Sequence, residues 1–195
     1  ARLVIACSRS RVGWLAGTAA LGFAKSGENM EIGHNVTHGQ WDWMNDPEIH
    51  SNTWEWDMVA VSSQWRYSHN YRHHVFNNIV GVDDDLGFGV MRVTRDVPWK
   101  PEHLVQPLRN VLLAAIFEWG IGLHGVHSER DRVGRDTPEH AAARSALLRK
   151  SARQVVKDYV LWPALSGRRW RRMLAANGAA NLLRNLWSYV VIFCG

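Results

Sequence analysis

His34-Asn35-Val36-Thr37-His38 and His69-Asn70-Tyr71-Arg72-His73-His74 are the two stretches that decide the reading of this chain. Between them, residues 34 to 74 hold six of its 10 histidines. The neutral imidazole ring offers a nitrogen lone pair near neutral pH, which makes it the commonest side-chain metal ligand. Residues i and i+4 of a helix share a face one turn apart, so His34 and His38 can point into one cavity, as can His69 and His73. His74 follows about 100° further round an α-helix, on the flank of that face. In a chain this rich in histidine, an HxxxH pair arises by chance about 0.5 times, but an HxxxHH cluster on the order of 0.03 times. Both together point to a site for more than one metal ion, within a mainly α-helical chain.

The ligand types narrow the chemistry. A zinc protease of the HExxH kind needs Glu after its first His, and position 35 is Asn. A structural zinc site draws on cysteines, and Cys7 and Cys194 are far from both clusters. A carboxylate-bridged di-iron bundle needs paired Glu-x-x-His motifs. Glu31-Ile32-Gly33-His34 imitates one, but neither His69 nor His73 has Glu three residues before it. A nitrogen-dominated site remains, and imidazole suits iron, copper, zinc and nickel alike.

The flanking residues make the pattern specific. Glu28-Asn29-Met30-Glu31-Ile32-Gly33-His34-Asn35-Val36-Thr37-His38-Gly39-Gln40 resembles the first histidine box of the membrane fatty-acid desaturases, and His69 to His74 resembles the second. Asp42-Trp43-Met44-Asn45-Asp46, Thr53-Trp54-Glu55-Trp56-Asp57 and the stretch from Asn77 to Gly89 are similar to the bacterial acyl-CoA and acyl-lipid branch. The resemblance runs from about residue 28 to 195. It implies an oxidoreductase of lipid metabolism with two iron ions held by histidine boxes, inserting a double bond into a fatty acyl chain with O2 and two electrons. It implies as iron ligands His34, His38, His69, His73 and His74. Asn35 and Asn70, each following the first His of its box, are expected to orient the rings. Trp54, Glu55 and Trp56 are expected to border the substrate entrance. The implied partners are an acyl substrate on CoA, a carrier protein or a lipid, an electron donor of ferredoxin or cytochrome b5 type with its reductase, and membrane lipids.

The chain also departs from that family. No third HxxHH box follows, and after His74 only His103, His124, His127 and His140 occur, singly. The expected organisation is therefore an atypical remnant of a membrane helix over 1–27 and a partial desaturase domain over 28–195. That domain comprises two boxes, a basic cytoplasmic segment and a C-terminal membrane helix. The expected metal site is incomplete, and the chain alone is expected to be inactive. A membrane hydroxylase or ketolase with the same boxes, and a non-catalytic truncated membrane protein, are the alternatives.

Composition sets further bounds. With 195 residues the chain can bury one core. A mean hydropathy of −0.26 is that of an ordinary soluble protein, which suits a polar cap carrying the boxes outside the bilayer. Eleven tryptophans fit a core, a groove or a membrane interface. Three segments approach a spanning helix: 12–24, short and flanked by Arg9 and Arg11; 110–126, interrupted by Glu118 and His124; and 173–195, with Arg184 as its one charge. Residues 128–172 hold twelve Lys or Arg against five acids. Their run Arg168-Arg169-Trp170-Arg171-Arg172 reads as a mark of the cytoplasmic side, shared with the boxes. Arg144 to Lys157 reads as an amphipathic basic helix. No nucleic-acid-binding motif accompanies these charges, so nucleic acid is not an expected partner. Helices are expected over Glu28–Gly39, with Gly39 as the stop, and over Ser63–Phe76. Val80–Gly89 reads as a loop whose Asp83, Asp84 and Asp85 bind a cation or an acyl carrier, or simply form a solvated acidic cap.

Overall fold

The computed structural model describes residues 1–194, and over them the chain is helical with no strand. Gly195, the last residue of the expected second unit, lies outside the described residues. Two short N-terminal helices, α1 (Arg2–Cys7) and α2 (Arg11–Ser26), are joined by a turn in which Ser10 Oγ accepts from Gly13 N at 2.9 Å. Serine is a favoured N-cap because its side chain satisfies one of the free amides of the first turn. Helix α2 does not end at residue 27. It continues through a π-helical segment (Gly27–Gly33) into α3 (His34–Thr37), so the expected boundary between remnant and domain falls inside one helical run. Gly39, at φ 76°, stops this run.

A long loop then leads to α4 (Ser62–Arg66), which runs into a second π segment (Tyr67–His73). Helices α5 (Gln106–Ala115) and α6 (Phe117–Val133) follow, bent by 100° at Ile116. The single helix expected over 110–126 is thus two helices. Glu118 lies buried on the inner side of the bend, ion-paired with Arg184, and Ile116 leaves helical geometry at φ −112° and ψ 25°. The remaining elements are α7 (Pro138–Val156), a third π segment (Lys157–Leu161), α8 (Trp162–Leu165) and α9 (Trp170–Cys194).

Helices α2 and α9 lie side by side and parallel. Arg172 of α9 donates to the carbonyls of Ser8 and Ser10 at the start of α2. Further along, Gly22 abuts Leu183 so closely that a Cβ there would sit 2.6 Å from Leu183 Cδ2. Both helices run from an arginine end to the histidine end. At the arginine end Ile5, Leu21, Met173, Ala176 and Ala180 form one apolar core, and at the histidine end Trp56, Met58, Ala60, Phe117, Ile121 and Tyr189 form another.

The polarity of this bundle is inverted. The buried stripe of α9 reads Met173, Ala176, Asn177, Ala180, Asn181, Arg184, Asn185, Ser188, Tyr189, at alternating steps of three and one. Asp158, 2% exposed, receives Lys25 Nζ and Arg2 Nη2, each at 2.8 Å, and Asn181 Nδ2 at 3.2 Å. The outward face instead carries Val12, Leu15 and Phe23 of α2, and Leu182, Leu186, Trp187 and Val190 of α9. Polar residues turned inward explain why no single described helix is long and apolar enough to cross a membrane. The expected C-terminal span averages its apolar outer face with an amide-rich inner one. One bent pair, Pro101–Ala115 with Phe117–Val133, reaches the length and composition together. The arginine run of 168–172 lies at the far end of the bundle from the histidines, where Arg172 meets the start of α2.

Candidate metal centre

Both histidine clusters begin from π-helical turns, and this changes which rings meet. A π turn repeats at i+5 rather than i+4. His69 and His74, which an α-helix would set about 140° apart, are therefore brought together, with their Nε2 atoms 3.2 Å apart. In the other cluster, where the chain has returned to α geometry, the Nε2 atoms of His34 and His38 are 2.8 Å apart. The two clusters face one another. Ring nitrogens of His34, His38 and His69 lie within 4.8 Å of each other, and so do those of His69, His73 and His74. The five expected ligands form two triads sharing His69.

The rings are aimed by carboxylates. His69 Nδ1 lies 2.9 Å from Asp85 Oδ2, and His73 Nδ1 lies 3.0 Å from Asp83 Oδ1. A histidine whose Nδ1–H donates to a carboxylate presents the Nε2 lone pair on its opposite edge, the arrangement that metal ligands commonly use. Asp83 is 5% exposed and is itself held, accepting from the amides of Asn78 and Asp85. Asp84 instead pairs with Arg72 Nη2 at 3.2 Å. The acidic stretch is thus no solvated cap: two of its three carboxylates face histidines of the second cluster. Its signal in the sequence was three aspartates some ten residues beyond a histidine box, on a loop able to fold back.

Burial and mutual repulsion disfavour the charged form of His34, His38 and His74. Burial, reinforced by His69 and His74, pushes His34 down to about 4, and burial with four neighbouring imidazoles does the same for His38. His74 is lowered chiefly by burial, then by His69 and His73. Imidazole nitrogens that converge, two of them on rings with anchored far edges, suit a borderline metal ion such as iron. The donor set fits the expected group.

The other expected residues take different places. Asn35 Nδ2 donates to Glu31 O at 2.6 Å and orients no ring. Asn70 Nδ2 donates to Thr37 O at 2.8 Å, clamping the second histidine helix onto the first. Trp56 is buried, its indole donating to Ala60 O, and stands edge-on to Trp65, which stacks on His69 at 4.2 Å. Trp54 lies over Gly33. Glu55 accepts from Ser62 N and pairs with Lys150, away from the histidines.

Beside His34 and His69 opens a narrow, mostly apolar slot of about 60 Å³, walled by Trp56, Trp65, Phe88, Phe117 and Ile121. Phe88, Phe117 and Ile121 also border a neighbouring cavity of about 490 Å³, with Arg72, His124 and His127 at its polar side. Phe88 sits between two glycines in the left-handed region, at φ 52°. Sequence reasoning did not single out Phe88 or His124, since neither belongs to a spaced motif.

Known proteins resemble the chain along its whole length. It is 51% identical over 201 aligned residues, 100% of the chain, to a protein named NADPH-dependent stearoyl-CoA 9-desaturase in two strains of Mycobacterium tuberculosis. An sn-1 linoleoyl-lipid 6-desaturase of Synechocystis is 34% identical over 83 residues, 41% of the chain and 23% of that protein. One of the same name from Arthrospira platensis is 30% identical over 97 residues. The chain spans about half the length, 47%, of the mycobacterial relatives. No family model matches it, and no solved structure does.

Proposed function

Because this chain belongs to the fatty-acid desaturase family, we propose that the whole protein inserts a double bond into a fatty acyl chain, as an O2-dependent di-iron oxidoreductase. The observation that carries this reading is the meeting of five imidazoles, two of them anchored by carboxylates, beside a mostly apolar aromatic slot. His34, His38, His69, His73 and His74 would hold the metal. Bound iron would supply the oxidising power needed to remove hydrogen from an unactivated C–H bond. The chain's own residues do the rest. Asp83 and Asp85 fix two ring orientations, Asn70 holds the two histidine helices in register, and Trp65 buttresses His69. The slot excludes water and lays an extended methylene chain against His34 and His69.

The relatives' names support a saturated acyl-CoA as substrate and NADPH as ultimate electron source, delivered through a ferredoxin or cytochrome b5-type donor. The lipid-directed relatives keep acyl lipids as the second choice. The membrane is the proposed location, supported by the inverted bundle. In a bilayer, ionisable side chains turn inward and pair while apolar ones face lipid. From Arg11 to Gly33 the run is long enough, at roughly 35 Å, to match a hydrocarbon core of about 30 Å. The histidine end faces the cytoplasm in this reading, where electron donors reside; the Arg168–Arg172 run does not contribute to that assignment.

The test is product analysis of the whole protein, reconstituted with NADPH, a reductase and stearoyl-CoA. An unsaturated acyl product is expected. An alcohol or ketone in its place would move the protein to the hydroxylase or ketolase class. The 195-residue chain assayed alone is expected to be silent, because five imidazoles shared between two metal positions leave coordination unfilled.

A further inference from the structure

A groove at the arginine end has no part in the chemistry above. It is lined by Arg9, Arg11, Trp14, Leu15, Arg171 and Arg172, with Ala175 at its edge. These residues come from two distant segments, the α1–α2 turn and the start of α9. Arg172 is structural, since its guanidinium holds the carbonyls of Ser8 and Ser10. Arg9 and Arg11 are exposed and have no carboxylate partner among the described residues, and Arg171 has only the ring of Trp170, 5.2 Å away. No acidic side chain lines the groove. The N-termini of α2 and α9 both open onto it, and each adds partial positive charge. Unpaired like charges gathered this closely repel one another, and an anion would relieve them.

The flank of the groove is apolar. Val12, Leu15 and Phe23 are 76%, 58% and 77% exposed, and they descend the outer face of α2 directly below the arginines. Arginines above an uninterrupted apolar helix face match an anion that carries hydrocarbon.

We infer that this groove binds an anionic phospholipid. Its phosphate sits among Arg9, Arg11 and Arg171, and its acyl tails lie along Val12, Leu15 and Phe23. The occupied leaflet is the one opposite the histidine end. The inference rests on the membrane placement of the bundle and not on the reaction at the histidines, so a binding experiment tests it even if the protein proves to make no double bonds.

The experiment is titration of the detergent-purified whole protein, without metal, with short-chain phosphatidylglycerol, short-chain phosphatidylcholine and inorganic phosphate. Saturable binding with preference for the anionic lipid is expected. Arg9→Gln/Arg11→Gln/Arg171→Gln should weaken it roughly a hundredfold, each charge contributing about fivefold. The corresponding triple Lys variant should retain most of the affinity. Arg144→Gln/Arg149→Gln/Arg153→Gln, which removes as much charge from α7, should leave binding nearly unchanged. If the triple Gln variant fails to fold, Arg9→Gln alone should still show the fivefold loss. Equal loss from the α7 variant, equal binding of the zwitterionic lipid, or inorganic phosphate binding as tightly as the lipid would each overturn the assignment.

Discussion

The histidine end and the bundle beneath it both bury polar groups, yet for opposite reasons. At the histidine end, Asp83 and Asp85 fasten rings whose free nitrogens converge on a place for something else. In the bundle, Lys25, Arg2 and Asn181 are consumed by Asp158, and Arg184 by Glu118. The first arrangement aims several ring nitrogens at one place, whereas the second spends its charged groups on each other and leaves Arg2 Nε, Asn181 Oδ1 and Arg184 Nε buried without a common target. Burial of charge alone therefore does not identify a functional centre; the direction in which the unsatisfied atoms point does.

The sharpest way to break this contrast is at the ring shared by both triads. His69→Ala in the whole protein should abolish desaturation and lower bound iron for both positions, while the thermal midpoint of the metal-free protein stays nearly unchanged; iron retained at the wild-type level would remove His69 from the ligand set. The reverse pattern is expected in the bundle. Asp158→Ala strands Lys25 and Arg2 without a partner, and breaking a buried pair in this way costs about 3–5 kcal/mol. Denaturation of the detergent-solubilised protein measures it, and a loss below about 1 kcal/mol would show the network to be solvated.

Smaller effects sharpen the distinction. Asp85→Asn keeps the shape and weakens the anchor on His69, so iron affinity read by chelator competition should fall about 10- to 100-fold with little change in stability. The smallest effect is on pH. Burial and the neighbouring imidazoles push His34 and His38 down to about 4 in the fold, from the usual 6.5. Between those values the unfolded chain binds more protons than the native one, so stability of the metal-free protein is full above pH 6.5 and falls as pH drops toward 4. Both rings are partly open to solvent, which limits the size of the effect. Thermal midpoints across that window, compared with His34→Gln/His38→Gln, should show a slope that the double variant flattens.

The meeting of the histidines was largely legible in the sequence, because spacing within a helix is local: five histidines in two clusters do come together. What stayed hidden depended on geometry that spacing alone does not carry. α-Helical spacing puts His74 on the flank, within reach of a second metal or the other cluster; it does join a second group with His69 and His73, but the π turn over Tyr67–His73 that sets its Nε2 3.2 Å from that of His69 is not carried by spacing. Asn35 is expected to orient a ring, but its side chain donates instead to the carbonyl of Glu31, one helical turn back. Asp83 and Asp85 are distant enough in sequence that only the fold of the loop joins them to the histidines. The bundle was the least legible part. Window-averaged hydropathy sums the two faces of a helix, so an apolar outside and an amide-rich inside cancel, and the segment expected to span, 173–195, falls in a helix that is not apolar enough to pass as one.

The π turn ahead of each histidine cluster has a further consequence, best put as reading frame. An extra residue in a helical turn behaves like an insertion in a coded message: everything after it is presented on another face. Removing a single residue from 67–68 would leave every histidine in place in the motif, and any search by pattern would still find it. The turn would nevertheless rewind toward α geometry, rotating the upstream helix by about 100° relative to the rings, and Trp65 would lose its place on His69. The motif can thus survive in the text after its meaning in space has been lost.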